Sequence, residues 1–279
     1  MNTSDFEKEL QQVRLAETAD ESDISLFSAR LIESWLQGRT GFGGLQAALA
    51  CCALRQSVES QRPLRSLLTS FIGPSQEGEL IIACDELRRG KSATWAEAKI
   101  LQEGNLCSTF QGCFGEERVS EIQVSAKALP TQLSAEESKL LPFIPGVTPN
   151  FIQHFDLRWA FGDVPFSGSS QSEMGAWVRF KEISEISEFH LIAMMDLLPP
   201  AVLPMFKSVR PISSLTWQLQ LLDNSLELSK TDIKTDDWWF FHVFALAAGH
   251  GYSQQQATLY SPHGQAVAIS QQSVAVFDQ

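Results

Sequence analysis

Gly41-Phe-Gly-Gly-Leu-Gln-Ala-Ala-Leu-Ala-Cys-Cys-Ala-Leu54 is the stretch on which the fold turns. It is rich in Ala and Leu, apolar residues cover nearly every face, and its glycines stand at the entry, so it reads as a buried helix. About 15 helical residues would run about 22 Å, enough to cross a sheet. The chain then changes character. Residues 64–72, 78–87, 92–101 and 105–114 read as strands, divided by turn signals at Gly73-Pro74, Arg89-Gly90-Lys91 and Glu103-Gly104-Asn105. One apolar helix followed by an antiparallel meander is an α+β layout.

The pattern then returns. Residues 126–148 hold Pro130, Pro142 and Pro145 with acidic Glu136 and Glu137, and read as a semi-rigid linker ending at Pro149. Beyond it, Phe189-His-Leu-Ile-Ala-Met-Met-Asp-Leu-Leu198 reads as a second apolar helix, closed by Pro199-Pro200. Residues 213–222 mirror 65–72, and residues 237–246 mirror 79–87. Gly90-Lys-Ser opens a strand that reaches a turn at Gly104; Gly251-Tyr-Ser opens one that reaches Gly264. Two long copies mean a duplicated domain, not a solenoid.

Composition removes several classes of function. A net charge of −12 with scattered basic residues argues against nucleic acid, which needs clustered Lys and Arg. Met1 to Asp20 carries Asp5, Glu7, Lys8 and Glu9 without an apolar run, so no secretory leader is expected there. No apolar stretch reaches about 18 residues, so no membrane insertion is expected either. The five cysteines (Cys51, Cys52, Cys84, Cys107, Cys113) are odd in number and lack zinc spacing, and read as reduced core thiols of a cytoplasmic protein. The histidines (His154, His190, His242, His250, His263) form no paired metal spacing; His190 and His242 read as core residues. Arg89-Gly-Lys-Ser92 is not a phosphate loop, because Asp85 stands where the loop needs its first glycine. No Gly-x-Ser-x-Gly elbow is present.

Several words of the sequence go further. Phe42-Gly-Gly44, Arg62-Pro-Leu-Arg-Ser66, Phe71-Ile-Gly-Pro74 and Leu87-Arg-Arg-Gly-Lys-Ser92 stand in the first half. Asp196-Leu-Leu-Pro-Pro-Ala201, Ser214-Leu-Thr216, Tyr260-Ser-Pro-His-Gly-Gln-Ala-Val-Ala268 and Gln272 stand in the second. Together they resemble the acyl-CoA thioesterase II family over roughly residues 6–277. The resemblance implies a double hotdog of the α+β class, with two antiparallel sheets each wrapped around a long central helix. The halves would be residues 1–125 and 149–279. It implies hydrolysis of an acyl-CoA to free acid and CoA, with no cofactor or metal, in a homodimer or higher homo-oligomer.

The family's catalytic group falls by position on Asp196, Ser214 and Gln272. Thr216 is a second candidate for the hydroxyl and Gln271 for the amide; strand alternation puts Gln271 and Gln272 on opposite faces. Asp196 stands among apolar neighbours, where a charge is costly to bury, so its pKa is expected to rise. The alternative for Asp196 is a solvent-facing side chain before the prolines. Gly43 and Gly44 are expected to hold the substrate oxygen on helix-head N–H groups, or else to permit close packing. Arg88, Arg89 and Lys91 could meet CoA phosphate or form only a solvated turn. The competing functions are an acyl-CoA binding protein without catalysis and a hotdog dehydratase or hydratase working with a His and an acid.

Overall fold

The structure, a computed structural model, describes residues 4–18, 24–58, 62–222 and 232–277. The first half runs α1 (Asp5–Gln11), β1 (Arg14–Thr18), β2 (Ser25–Leu31), β3 (Leu36–Gln37) and β4 (Thr40–Gly41). It continues through α2 (Gly43–Ser57), β5 (Leu64–Phe71), β6 (Gly78–Arg89), β7 (Ala93–Gln102) and β8 (Asn105–Gly115). The second half begins β9 (Lys139–Leu141), β10 (Phe155–Phe161), β11 (Glu173–Phe180) and α3 (Glu188–Met194). It ends β12 (Ile212–Leu221), β13 (Trp239–Gly249), β14 (Tyr252–Tyr260) and β15 (Ala266–Val276).

The four strands expected in the first half are β5 to β8, and their counterparts are β12 to β15. β7 alternates as a half-buried strand must: Thr94, Ala96, Ala98 and Ile100 are buried while Trp95 and Lys99 point out. Strands β2, β10 and β11 escaped the sequence reading. Residues 116–138 carry no helix or strand, whereas Lys139–Leu141, inside the stretch read as linker, pairs with β10.

Two expectations are corrected. The halves do not form two sheets. Among the described residues, all strands except the β3–β4 ribbon join one antiparallel sheet in the order β1-β2-β6-β7-β8-β5-β12-β15-β14-β13-β11-β10-β9. Its seam is the pairing of Ser66–Ser70 on β5 with Thr216–Gln220 on β12. Each half alone would leave that edge with unpaired N–H and C=O groups, and the two edges satisfy each other. A local pattern cannot reveal a pairing between residues about 150 apart in sequence.

The second correction concerns the helices. α2 spans 15 residues and is buried on almost every side, but α3 spans only seven. Met195 and Asp196 turn away after it. Leu198 precedes Pro199, which disfavours helical backbone there, and Pro200 has no N–H to give. Asp196 is therefore on a turn, not on a helix face.

α2 lies over β6, β7 and β8 and runs beside α3. The last turn of α2 meets the first residue of α3 through a buried ion pair. Arg55 Nε and Nη2 donate to Glu188 Oε1 and Oε2 at 2.6 and 2.8 Å, and the guanidinium lies 4.6 Å from the Phe114 ring centre. At their other ends, Gly44 of α2 faces Ala193 of α3. A Cβ on Gly44 would sit 2.6 Å from the Ala193 carbonyl oxygen and 2.6 Å from the Phe42 ring. No helix among the described residues is long and apolar enough to cross a membrane.

Replacing Arg55 by Leu leaves Glu188 buried without its charge partner. We expect a loss of about 3–5 kcal/mol, the usual penalty for stranding one member of a buried pair, read from urea unfolding curves.

Candidate active site

The turn after α3, the head of α2 and two strands of the second half converge on Asp196. Gln272 Nε2 donates to Asp196 Oδ1 at 3.1 Å and to Ser214 Oγ at 3.0 Å. The Gly44 N–H also donates to the Asp196 carboxylate. A Cβ on Gly43 would lie 2.6 Å from Asp196 Oδ2 and 2.9 Å from the Phe71 ring. Asp196, Ser214, Gln272, Gly43 and Gly44 thus meet at one place.

The two open choices resolve geometrically. Gln272 is buried and Gln271 is exposed, as alternation requires. Ser214 faces the site and Thr216 faces solvent. Strict alternation would put Ser214 opposite buried Trp217, three residues on. A β-bulge between Ser214 and Thr216 inserts one residue against β15, so Ser214 pairs with Val274 while Trp217 pairs with Gln272. The extra residue turns Ser214 to the inner face.

Burial dominates the electrostatics of Asp196. It pushes the carboxyl up to about 7, against the lowering effect of the Gln272 and Gly44 hydrogen bonds. Burial also raises Cys52 to about 11 and Cys84 to about 12, and lifts Cys51 well above its ordinary value, so these thiols stay protonated. His190 is a core histidine as read, capping α3 through Ser187. His242 is not: it pairs with Glu173 at 2.7 Å on β13, with only the carboxylate exposed. Among the described residues no cluster of three His, Cys, Asp or Glu gathers as metal ligands.

Arg88, Arg89 and Lys91 are not brought to this place. Arg89 donates to Glu86 and to the carbonyl of Val58, which caps the far end of α2. Fifteen helical residues put that end about 21 Å from Gly43. Arg88 rests over Trp95, and the Lys91 carbonyl accepts from Arg62.

Two further residues stand at the site that the sequence reading gave no role there. Phe71 walls the space at Gly43 from β5. Gln255 Nε2 donates to Gln272 Oε1 at 2.6 Å, and Gln255 Oε1 accepts from the Ala201 N–H at 2.9 Å. Gln255 is the middle of Gln254-Gln-Gln256, and only the inward alternation of β14 separates it from its neighbours.

The first half offers no second copy of the group. A matching bulge falls between Leu64 and Ser66, so Leu64, Gly112 and Phe114 stand where Ser214, Gln272 and Val274 stand. A Cβ on Gly112 would meet Leu54 at 3.3 Å. There is neither carboxylate, hydroxyl nor amide among these positions.

Comparison with known proteins agrees with this geometry. Residues 31–115 match the acyl-CoA thioesterase N-terminal domain, and residues 135–276 match the acyl-CoA thioesterase C-terminal domain. A conserved protein of unknown function with hot dog fold from Alicyclobacillus acidocaldarius superposes with a TM-score of 0.86 at 19% identity, over 100% of each chain. The acyl-CoA thioesterase II TesB2 of Mycobacterium marinum gives 0.73 at 14% identity over 97% of each chain. The dehydratase domain of PpsC from Mycobacterium tuberculosis, in complex with C12:1-CoA, gives 0.59 at 13% identity, covering 99% of this chain and 100% of that one. A search of curated proteins finds no match. The fold is a hotdog fold, and the chain matches both the N-terminal and the C-terminal domain of one family. It belongs to the acyl-CoA thioesterase II family.

A carboxyl near 7 in the folded state, against 3.8 in its absence, binds its proton more tightly when folded. Its unfavourable contribution to stability therefore grows as pH rises from about 4 to about 7 and is constant above. Asp196→Asn removes that titration. We expect its melting temperature, relative to wild type, to be more favourable at about pH 8.5 than at about pH 5; a pH-independent difference would mean an ordinary carboxyl.

Proposed function

We propose that the protein hydrolyses an acyl-CoA thioester by water that Asp196 activates, without a covalent intermediate. The observation that carries this reading is the join of Asp196 Oδ1 and Ser214 Oγ through Gln272 Nε2, with Asp196 Oδ2 turned to the head of α2. Oδ1 is held by the amide, so Oδ2, which lies against Gly43, is the oxygen assigned to the water. A water there would give its proton to Oδ2 and its oxygen to the thioester carbon, with the Ser214 hydroxyl orienting it. A base titrating near neutral pH suits that task, because it is ionised in use yet basic enough to take a proton.

The carbonyl oxygen gains negative charge as the water adds. The Gly44 N–H is engaged by Asp196, which narrows the two-glycine expectation to Gly43. The Gly43 N–H, at the first position of α2, makes no hydrogen bond within the described residues and is the donor offered to that oxygen. Collapse of the adduct breaks the C–S bond, and the departing sulfur takes the proton from Asp196. The products are a free acid and the CoA thiol.

Ser214 is not set up as a nucleophile. Its oxygen contacts an amide N–H, which cannot accept its proton, and a serine nucleophile needs an adjacent base. A hydratase or dehydratase reading needs a histidine beside the acid. His242 and Glu173 form such a pair on β13 and β11, and among the described residues no histidine is one of the groups acting on Asp196. The non-catalytic acyl-CoA binder predicts ligand binding without thiol release.

Asp196→Asn should lower thiol release from a panel of acyl-CoA lengths by roughly 10²- to 10⁴-fold. In wild type, kcat/KM should rise with pH through about 7 and level off above it. Unchanged hydrolysis in the variant removes Asp196 from the mechanism, and ligand binding without thiol release in wild type selects the binder.

A further inference from the structure

We infer that Gln255 is a positioning residue for this hydrolysis, fixing which end of the Gln272 amide faces Asp196. The inference rests on the Asp196 reading above and deepens it. An amide side chain has one end that donates and one that accepts, and rotation by half a turn exchanges them. Turned the wrong way, Gln272 would present its oxygen to a carboxylate oxygen and to the Ser214 hydroxyl. Nothing in Gln272 itself prevents that.

The chain of contacts does. A backbone N–H can only donate, so the Gln255 atom facing the Ala201 N–H at 2.9 Å is its oxygen. The other end of Gln255 is then its NH2, which donates to Gln272 at 2.6 Å. The Gln272 atom receiving it is therefore oxygen, and its NH2 must face Asp196 Oδ1 and Ser214 Oγ. One fixed peptide sets the sense of two amides in series. Gln255 is only 6% exposed and Gln272 8%, so water does not substitute for either contact.

The anchor is well placed. Ala201 follows Pro199-Pro200, so its N–H is the first in that turn free to donate after Leu198. The same turn carries Asp196. Gln255 thus ties the segment bearing the carboxylate to the strand bearing the amide.

No charged side chain acts on Asp196 among the described residues. α2 brings the Gly44 N–H, β5 the Phe71 ring, β12 and β15 the Ser214 hydroxyl and the Gln272 amide, and β14 reaches it only through Gln255. A reversed amide would meet the carboxylate with a lone pair, favour its protonated form and shift its titration upward.

The test uses Gln255→Glu, which keeps shape but offers Gln272 an acceptor, and Gln255→Met, which keeps length and adds no charge. Both are measured in wild type and in a Gln272→Met background, with Asp196→Asn as control. We expect kcat to fall roughly 10- to 100-fold in the wild-type background, the scale of a lost hydrogen bond to a charged group, with KM changed little. The acidic limb of the pH–rate profile should move to higher pH. In the Gln272→Met background neither Gln255 change should cost further activity, because its effect passes through Gln272. Equal losses in both backgrounds, or a lowered melting temperature with an unmoved pH profile, would overturn the inference. If Asp196→Asn is inactive while the Gln255 variants match wild type, the hydrolytic reading stands and the positioning role falls. An active Asp196→Asn removes the reading beneath both.

Discussion

The site depends on how closely α2 passes the end of α3. Gly44 has no side chain, and even a single added carbon would collide with the Ala193 carbonyl and with Phe42. Only that closeness brings the Gly44 N–H within reach of Asp196, three residues past Ala193. Gly43, one residue earlier, has no side chain either, so Asp196 Oδ2 and the Phe71 ring both come close to it. The two glycines have different duties. One sets the distance between helices, and the other lets the Asp196 carboxylate and Phe71 approach the head of α2.

The carboxyl in that position is a contest between opposed effects. Removal from water favours the neutral acid, while two hydrogen bonds from N–H groups favour the anion. Burial wins, and by enough to carry the group from the ordinary carboxylate range to about 7. Were the hydrogen bonds alone decisive, the carboxyl would titrate below its ordinary value. Were they absent, burial alone would push it higher still. The amide from β15 and the peptide of α2 hold it between these limits.

Much of this was legible in the residues. The apolar helix, the turns and the repeated meander are encoded by local periodicity, and β5 to β8 and β12 to β15 fall where the pattern puts them. The words around Phe42, Asp196, Ser214 and Gln272 carried the site. What could not be read was non-local. The β5–β12 pairing joins segments with no sequence relation beyond the repeat, and merges two sheets into one. The bulge that chooses Ser214 over Thr216 depends on register against β15, which alternation within β12 cannot supply. Gln255 hides in a run of three identical residues. The basic turn was marked by charge density alone, and there Arg89 binds Glu86 and the end of α2.

The seam also says something about how such a chain could come apart. Cut at the proline-rich joint, the second half would keep Asp196, Ser214, Gln272 and Gln255, yet lose Gly43, Gly44 and Phe71 with the first. It would in addition bare the edge of β12, whose outward side chains here are Thr216, Gln218 and Gln220, uncharged and without a proline to block pairing. The fragment would be less a minimal catalyst than a sticky one, prone to zip onto its own kind. Fusion of two halves in one polypeptide therefore does more than tether them: it keeps the β12 ladder paired with β5, and Asp196 beside Gly43 and Gly44.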